Sequence, residues 1–576
     1  MNHGSTFPKF SNLKAPLLLA LLTLLVSLPG LSSLSVIDRD EARYAQATMQ
    51  MLESGEYVDI RFQDAPRWKK PAGAYWAQAL SVKAFTGVNA REIWAHRVPS
   101  VLGALLAVLA TYWGGAKLIG REPAAIGAAL LAVSLSMVFE AHIAKTDSLL
   151  TGFCALMLAA LAYLRVGADE ENYAGRGPAL VFWMALGAAI MMKGPIALLI
   201  ALTCFIALAI WERSAIWLRP LRFWLGPLVC IAIVAPWAYL IWTKTDGQFF
   251  AVAIGEDLAP KLTGGAEKHG APAGYYLATV WVMLWPGAAF LLAGLALAWK
   301  NIRGVKTAGV SALGSTAKFL LCWAVPWWII VEISATKLPH YTLPVYPALC
   351  LLAGAAAVAI AKDKAHPIAR TIGAALYMLV GALLAGGVVY AQSFGGAKPP
   401  SWEYAIAALI IIGIIVSAIL LMRGRARAIW GVIASGAALS IFTFGHIMPS
   451  LERLTISKSV AKLLKTEQGY ALPLPAQTQV YSPNFSEPSL VYHLGSHIKI
   501  GMDKSPTALS NLPAGTLLIV DKLHKEGPDL MARIAQDAQS QLACFENIGE
   551  VDGENYSKGD TVKLSIMRRT ACTPNK

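Results

Sequence analysis

The chain has 576 residues, of which 56% are hydrophobic and only 15% charged. Soluble proteins of this size carry about a quarter charged residues, so the composition excludes a soluble globular enzyme and points to a polytopic α-helical membrane protein. The formal charge of +14 calls for no nucleic-acid partner, because Lys and Arg gather in short loops between apolar runs, as cytoplasmic loops of membrane proteins do.

The first apolar run, 15–35, follows Lys9 and Lys14. Its length, and the lack of a small-x-small cleavage site, predict a first span with the N-terminus inside. Runs at 95–118, 123–139, 148–166, 178–192, 195–211, 222–243, 274–298, 318–333, 344–361, 371–392, 403–422 and 427–447 bring the expectation to about thirteen spans. "KLIGREP", "RVGADEENYAGRG", "WERSAIWLRPLR", "KNIRGVKTAGVSALGSTAK", "AKDKAHPIAR" and "MRGRARA" then fall inside, and all carry Lys or Arg. The loops after Phe139, Val331 and Gln392 fall outside, with two long loops at 36–94 and 244–273. An odd number of spans leaves the residues after Ile447 outside as well.

The loop 36–94 is too long to be a plain connector. It opens "IDRDEARYAQATMQMLESG". Ala45, Met49 and Leu52 recur at helical spacing and Gly55 is a stop signal, which predicts an amphipathic helix from Asp40 to Glu53 on the membrane surface. "YVDIRF" alternates like a strand, and "QDAPRWKKPAGAYWAQ" returns to the membrane with interfacial aromatics. Asp38 and Asp40 spell D-x-D, a pair that can hold a metal-bound nucleotide-sugar. No βαβ unit surrounds them, and helix capping accounts for Asp38.

The other outer segments also carry ionisable groups. "EAHIAKTDSLL" places Glu140, His142, Lys145 and Asp147 at a helix boundary, and "MMKGPIA" puts Lys193 at a tip. "GEDLAPKLTGGAEKHGAPAGYY" holds Lys261, and "EISATKLPHYTLPVYP" holds Lys337, His340 and Tyr341. Charged groups at membrane depth are costly and mark function. Both signs on one face predict a polar cavity near the outer leaflet, with lysines for an anion and carboxylates for acid–base work. Plainer readings stand beside this one: Lys145 snorkels to the interface, and His142 is a hydrogen-bonded interfacial histidine. No His-x-x-x-His or Cys-x-x-Cys spacing offers a metal site.

The tail, 448–576, is richer in charge and Pro. "TQVYSP", "SLVYHLG", "HIKIG" and "TLLIVDK" read as strands, and "LERLTISKSVAKLLKTE" and "DLMARIAQDAQSQLA" as helices. A small α/β domain is expected. Five of the seven Cys fall in spans, while Cys544 and Cys572 lie in the tail, where an oxidising compartment would allow a disulfide.

The D-E pair opening the first outer loop, "KKP" before "GAYW", "KTDSLL", "KGP" and "KLPHYTLP" together resemble the GT-C membrane glycosyltransferases of the ArnT and protein O-mannosyltransferase superfamily (glycosyltransferase families 39 and 83). The resemblance implies a GT-C transmembrane domain over 1–447 and a periplasmic C-terminal α/β domain over 448–576, in the inner membrane of a Gram-negative bacterium. It implies an inverting glycosyltransferase that moves a sugar from a polyprenyl-phosphate donor to a periplasmic acceptor, lipid A or lipopolysaccharide core. Asp40 matches the catalytic Asp, with Glu41 supporting it and Arg43 orienting it; Asp147 matches a second acidic position. Lys70 matches the Lys before Pro that holds the donor phosphate, with Lys69, Lys193, Lys261, Lys337 and Tyr341 assigned to the same phosphate. Glu140, His142 and His340 are supporting residues. No cofactor is required, and a divalent metal is compatible. Two departures stand out: Lys69 where relatives often have an acid, and Lys261 where an Arg is expected. They suggest a sugar other than aminoarabinose, an acidic or neutral one. Two rivals are a protein O-glycosyltransferase and a lipid flippase or sugar transporter. The charges gather on one face and no internal repeat is visible, which disfavours alternating access.

Overall fold

The computed structural model describes residues 14–88, 90–167, 176–221, 225–260, 270–308, 312–363, 365–395, 399–501 and 509–572. Among them, eight helices are long and apolar enough to cross a membrane, or up to ten if each of two bent pairs is one span. Two shorter apolar helices, Lys14–Ser27 and Ile196–Glu212, stand beside them. Eight to ten of the thirteen expected spans thus meet this test among the described residues. The expected span 123–139 is two helices, Arg121–Ala132 and Leu135–Ala141, bent by 58°. There the Leu135 N–H leaves its own helix and donates to the Trp285 carbonyl at 2.9 Å. The expected span 274–298 breaks by 113° around Pro286, where proline removes a helical donor.

The centre of the bundle is the pair Ile93–Ile119 and Asp147–Gly167. Small residues let the two backbones touch. A Cβ on Gly103 would sit 2.6 Å from the Leu149 nitrogen, and one on Gly114 would sit 2.5 Å from the Ala159 Cα. This contact holds Asp147, the first residue of its helix, at a fixed depth.

The first long loop is folded. Its helix runs Asp40–Ser54 and ends at Gly55, whose φ of 72° is left-handed and whose N–H reaches Met51 O. Ala42, Ala45, Ala47, Met49 and Met51 are buried along it. The expected strand shrinks to β1, Arg61–Phe62, paired with β2, Ala65–Pro66. A second helix, Gly73–Phe85, follows "KKP".

The tail builds a five-stranded sheet in the order β4-β3-β5-β7-β6. Its strands are β3 (Val480–Ser482), β4 (Lys499–Ile500), β5 (Leu517–Asp521), β6 (Cys544–Asn555) and β7 (Asp560–Thr570). β3 runs parallel to β4 and β5, while β7 is antiparallel to both β5 and β6. Helices Ile456–Thr466 and Gly527–Gln539 occupy the expected places. "SLVYHLG", expected as a strand, is the helix Pro488–Leu494. Pro488 at its first turn suits a helix start. Cys544 and Cys572 form a disulfide, and the other five Cys are free and buried.

The sheet segment is docked on the first loop. Asp38 Oδ1 accepts the Ser489 N–H at 3.0 Å, Gln46 donates to Ser496 Oγ at 2.7 Å, and Arg91 donates to the Tyr492 carbonyl at 2.7 Å. Asp38 therefore caps a helix more than 400 residues away in sequence rather than its own. Burial pushes its carboxyl up to about 6.

Candidate active site

A cavity of about 210 Å³ opens where the first loop meets the ends of the central helices. Its polar lining comprises Asp40, Arg43, Arg67, Lys69, Lys70, Lys145, Asp147, Lys193, Asp257 and His340, among others. Its apolar lining includes Leu150, Ile196, Leu199, Trp327 and Ile330. An anionic head and a hydrocarbon tail could be held by one pocket of this kind.

Asp40 is the first residue of its helix. The preceding Arg39 has φ 72° and ψ −104°, an uncommon conformation for a side-chain-bearing residue. The Asp40 side chain is exposed to the cavity. Among the described residues its carboxylate takes part in no hydrogen bond or ion pair. Glu41, its neighbour, faces the other way and is not a cavity residue. Arg97 grips it with two bonds of 2.8 Å, both side chains being fully buried. Glu41 also accepts the Ala144 N–H at 2.8 Å and the Ile37 N–H at 2.7 Å. Four bonds saturate it, so Glu41, expected beside Asp40 in the catalytic set, is a tie between the first loop and the bundle.

Asp147 lies inside a cluster of charges. Lys193 donates to its Oδ1. Lys145 Nζ is 3.5 Å from its Oδ2, and His340 Nε2 is 3.8 Å from its Oδ1. Glu140 stands behind the cavity wall. Its Oε1 meets Lys145 at 3.0 Å and His340 Nδ1 at 3.8 Å. Burial lowers the Lys145 ammonium, but the Glu140 and Asp147 carboxylates outweigh it and hold the group above its ordinary range. Lys193 also sits over the Tyr341 ring, 5.4 Å from its centre, an arrangement that favours a cation. Lys70 reaches Asp257 Oδ2 at 2.5 Å. Asp257 lies on a π-helical segment, Ala251–Leu258, and such segments are frequent at functional sites.

Two further expected residues lie elsewhere. His142 is buried between the Val138 carbonyl at 2.8 Å and the Pro29 carbonyl at 2.9 Å, stacked on Phe444; the plain reading of it holds. Lys337 donates to the carbonyls of Ser334 at 3.0 Å and Ala271 at 3.1 Å, where it joins two loops instead of facing the cavity. Lys261 lies outside the described residues. The cavity also brings in residues that pattern reading passed over. Arg67 donates from Nε to the Tyr75 hydroxyl at 2.8 Å and lies 4.9 Å from the centre of the Tyr44 ring. The only signal for Arg67 was its place in "PRWKKP", and for Asp257 its place in "GEDLAP". Among the described residues no group of three His, Cys, Asp or Glu side chains is arranged to hold a metal ion.

Residues 69–242 match the family model of dolichyl-phosphate-mannose-protein mannosyltransferases. The chain is 29% identical over 448 residues to an undecaprenyl phosphate-alpha-4-amino-4-deoxy-L-arabinose arabinosyl transferase of Pseudomonas fluorescens, covering 76% of each chain. A protein of the same description from Erwinia tasmaniensis is 27% identical over 54% of each chain. In fold, the chain resembles ArnT from Cupriavidus metallidurans bound to undecaprenyl phosphate, with a TM-score of 0.75 at 18% identity over 98% of this chain and 100% of that one. It resembles more distantly an Archaeoglobus fulgidus oligosaccharyltransferase, with a TM-score of 0.53 at 12% identity over 90% of this chain and 70% of that one.

Proposed function

We propose that this chain, an ArnT-like member of the GT-C superfamily, is a polyprenyl-phosphate-dependent glycosyltransferase that passes a sugar with inversion to lipid A or lipopolysaccharide core. The observation that carries the reading is Asp40: a carboxylate with no hydrogen bond or ion pair among the described residues, lining a cavity rich in fixed cations. The acceptor oxygen bonds to the anomeric carbon as the bond from that carbon to the phosphate oxygen breaks, and the polyprenyl phosphate leaves with the electron pair. Positive charge grows at the sugar, and Asp40 stabilises it. If the acceptor is a hydroxyl, Asp40 takes its proton. The leaving phosphate gains charge, and Lys70 is placed to meet it. The apolar lining at Leu150, Ile196 and Leu199 suits the prenyl chain. Asp147 is pinned by two lysines and His340, so its part is to hold those cations in place.

The basic loops predicted inside set the orientation: the cavity and the sheet segment face the periplasm from the inner membrane. The match of residues 69–242 to a protein mannosyltransferase model favours, as a second reading, a Ser or Thr hydroxyl of a protein as acceptor. Mass spectra of lipid A, core and envelope peptides would decide between them, taken from a deletion strain complemented with wild type, Asp40→Asn or Lys70→Ala. A sugar-sized increment on lipid that wild type restores and both variants do not is the expected result. The same increment on peptides alone would move the acceptor to protein, and full activity of both variants would remove the assignment of the site.

A further inference from the structure

Three cavity lysines each have an acid of their own: Lys70 has Asp257, Lys145 has Glu140 and Lys193 has Asp147. The two cavity arginines do not. Arg43 is half-buried, and among the described residues its guanidinium makes no hydrogen bond or ion pair. Among the described residues Arg67 spends only its Nε, on the neutral Tyr75 hydroxyl. Its guanidinium is held against the Tyr44 ring, which itself stacks on Tyr75 with centroids 4.9 Å apart. Arg67 is thus fixed in place by aromatic packing instead of by a carboxylate. Each guanidinium lies within electrostatic reach of the other and of Asp40. Two like charges on one half-buried wall repel unless an anion comes between them. Planar guanidinium forks match the paired oxygens of a carboxylate or phosphate better than an ammonium does. Exposed Lys69 adds a further cation to the same rim.

We infer that Arg43 and Arg67 form a second oxyanion subsite, separate from the lysine that meets the donor phosphate. Its occupant is an anionic group on one of the two substrates: a carboxylate on the transferred sugar, or a phosphate on the acceptor. This rests on the glycosyltransferase reading above. The curated relatives are named for a 4-amino sugar. An ammonium group on the sugar would be repelled by this wall, so an acidic or neutral sugar fits it better.

The test is competition binding to the purified full-length protein in nanodiscs, read by tryptophan fluorescence. The probes are undecaprenyl phosphate alone, undecaprenyl phosphate linked to a hexuronic acid or to a neutral hexose, and lipid A with or without its phosphates. Wild type is expected to prefer the acidic member of one pair by about tenfold. Preference within the donor pair identifies a sugar carboxylate, and preference within the lipid A pair identifies an acceptor phosphate. Arg43→Gln should abolish that preference. Arg43→Lys, which keeps the charge and loses the fork, should keep only part of it. The inference is overturned by no preference in either pair. It is overturned equally if Arg43→Gln weakens undecaprenyl phosphate alone as much as the acidic ligand. The underlying reading fails separately, if undecaprenyl phosphate does not bind or binds unchanged to Lys70→Ala; the lipid A pair still decides the subsite in that case.

Discussion

Lys70 Nζ lies 2.5 Å from Asp257 Oδ2, and both side chains line the same cavity. In the proposed reaction a donor phosphate meets the same ammonium. Phosphate and carboxylate then compete for it. Asp257→Asn should therefore bind undecaprenyl phosphate more tightly than wild type, by about tenfold if a charge-assisted bond is what the phosphate must displace. Titration of the purified variant checks it. Unchanged or weaker binding would mean that Asp257 orients Lys70 for the phosphate instead of competing with it.

Asp40 has no bonds to lose among the described residues, so Asp40→Asn should separate activity from stability. Transfer should fall by about 10²- to 10⁴-fold, the usual worth of a positioned acid or base. The melting temperature should stay where it is. A variant that also unfolds early would show that Asp40 carries structural load.

Glu41 should behave in the opposite way. Removing one member of a fully buried ion pair leaves the other uncompensated and costs about 3–5 kcal/mol. Glu41→Ala should lower the melting temperature in detergent markedly, and Arg97→Ala should do the same. A double variant with both side chains replaced should lose less than the two single losses together, because the cost lies in the unpaired charge.

Asp38 sets a pH dependence on the docking of the sheet segment. Its folded value is raised from 3.8 to about 6, so the folded state holds the proton more tightly than the unfolded state does. Its contribution is fully present below about 3.8 and is lost as pH rises through about 6. Asp38→Asn mimics the protonated form. Compared with wild type, the variant should gain stability at pH 7 relative to pH 4. Hydrogen exchange at residues 488–494 measured at the two pH values would show it; equal differences at both would rule out this titration.

The disulfide spans 28 residues between Cys544 and Cys572 and ties the start of β6 to the chain just past β7. Closing a loop of this size is worth roughly 3.6 kcal/mol in the chain-entropy account. Reductant should speed proteolysis within 544–572 and leave the transmembrane helices intact.

What could be read from the chain follows from how local each signal is. Apolar runs announce spans because a bilayer demands about 20 apolar residues in a row, and the central runs 95–118 and 148–166 appear within a few residues of where they were expected. The Asp40–Ser54 helix was legible from its period and from Gly55. The breaks at Ser134 and Pro286 were not, since each depends on a partner helix that receives the freed backbone groups. Long strands β6 and β7 were also hidden. Their buried residues, among them Val551, Val562, Leu564 and Ile566, are interspersed with charges such as Glu546 and Arg568, which pair across the hairpin at 2.7 Å and resemble loop residues in one dimension.

The contrast between Asp40 and Glu41 marks the limit most clearly. By itself, the sequence determined that carboxylates, lysines and arginines collect at the ends of membrane helices, because a hydrocarbon interior excludes them from the middle. It also carried a resemblance to a family, through short motifs in a fixed order. Only the tertiary structure decided which charges cancel and which stay available. Adjacent residues on a helix point about 100° apart, so one of two neighbouring carboxylates turns into Arg97 and the other into the cavity. The same physics took His142 and Lys337 out of the site and brought Arg67 and Asp257 in. Charge is a property of a residue, but its pairing is set by segments that meet, as Glu41 and Arg97 do across 56 positions and Lys70 and Asp257 across 187.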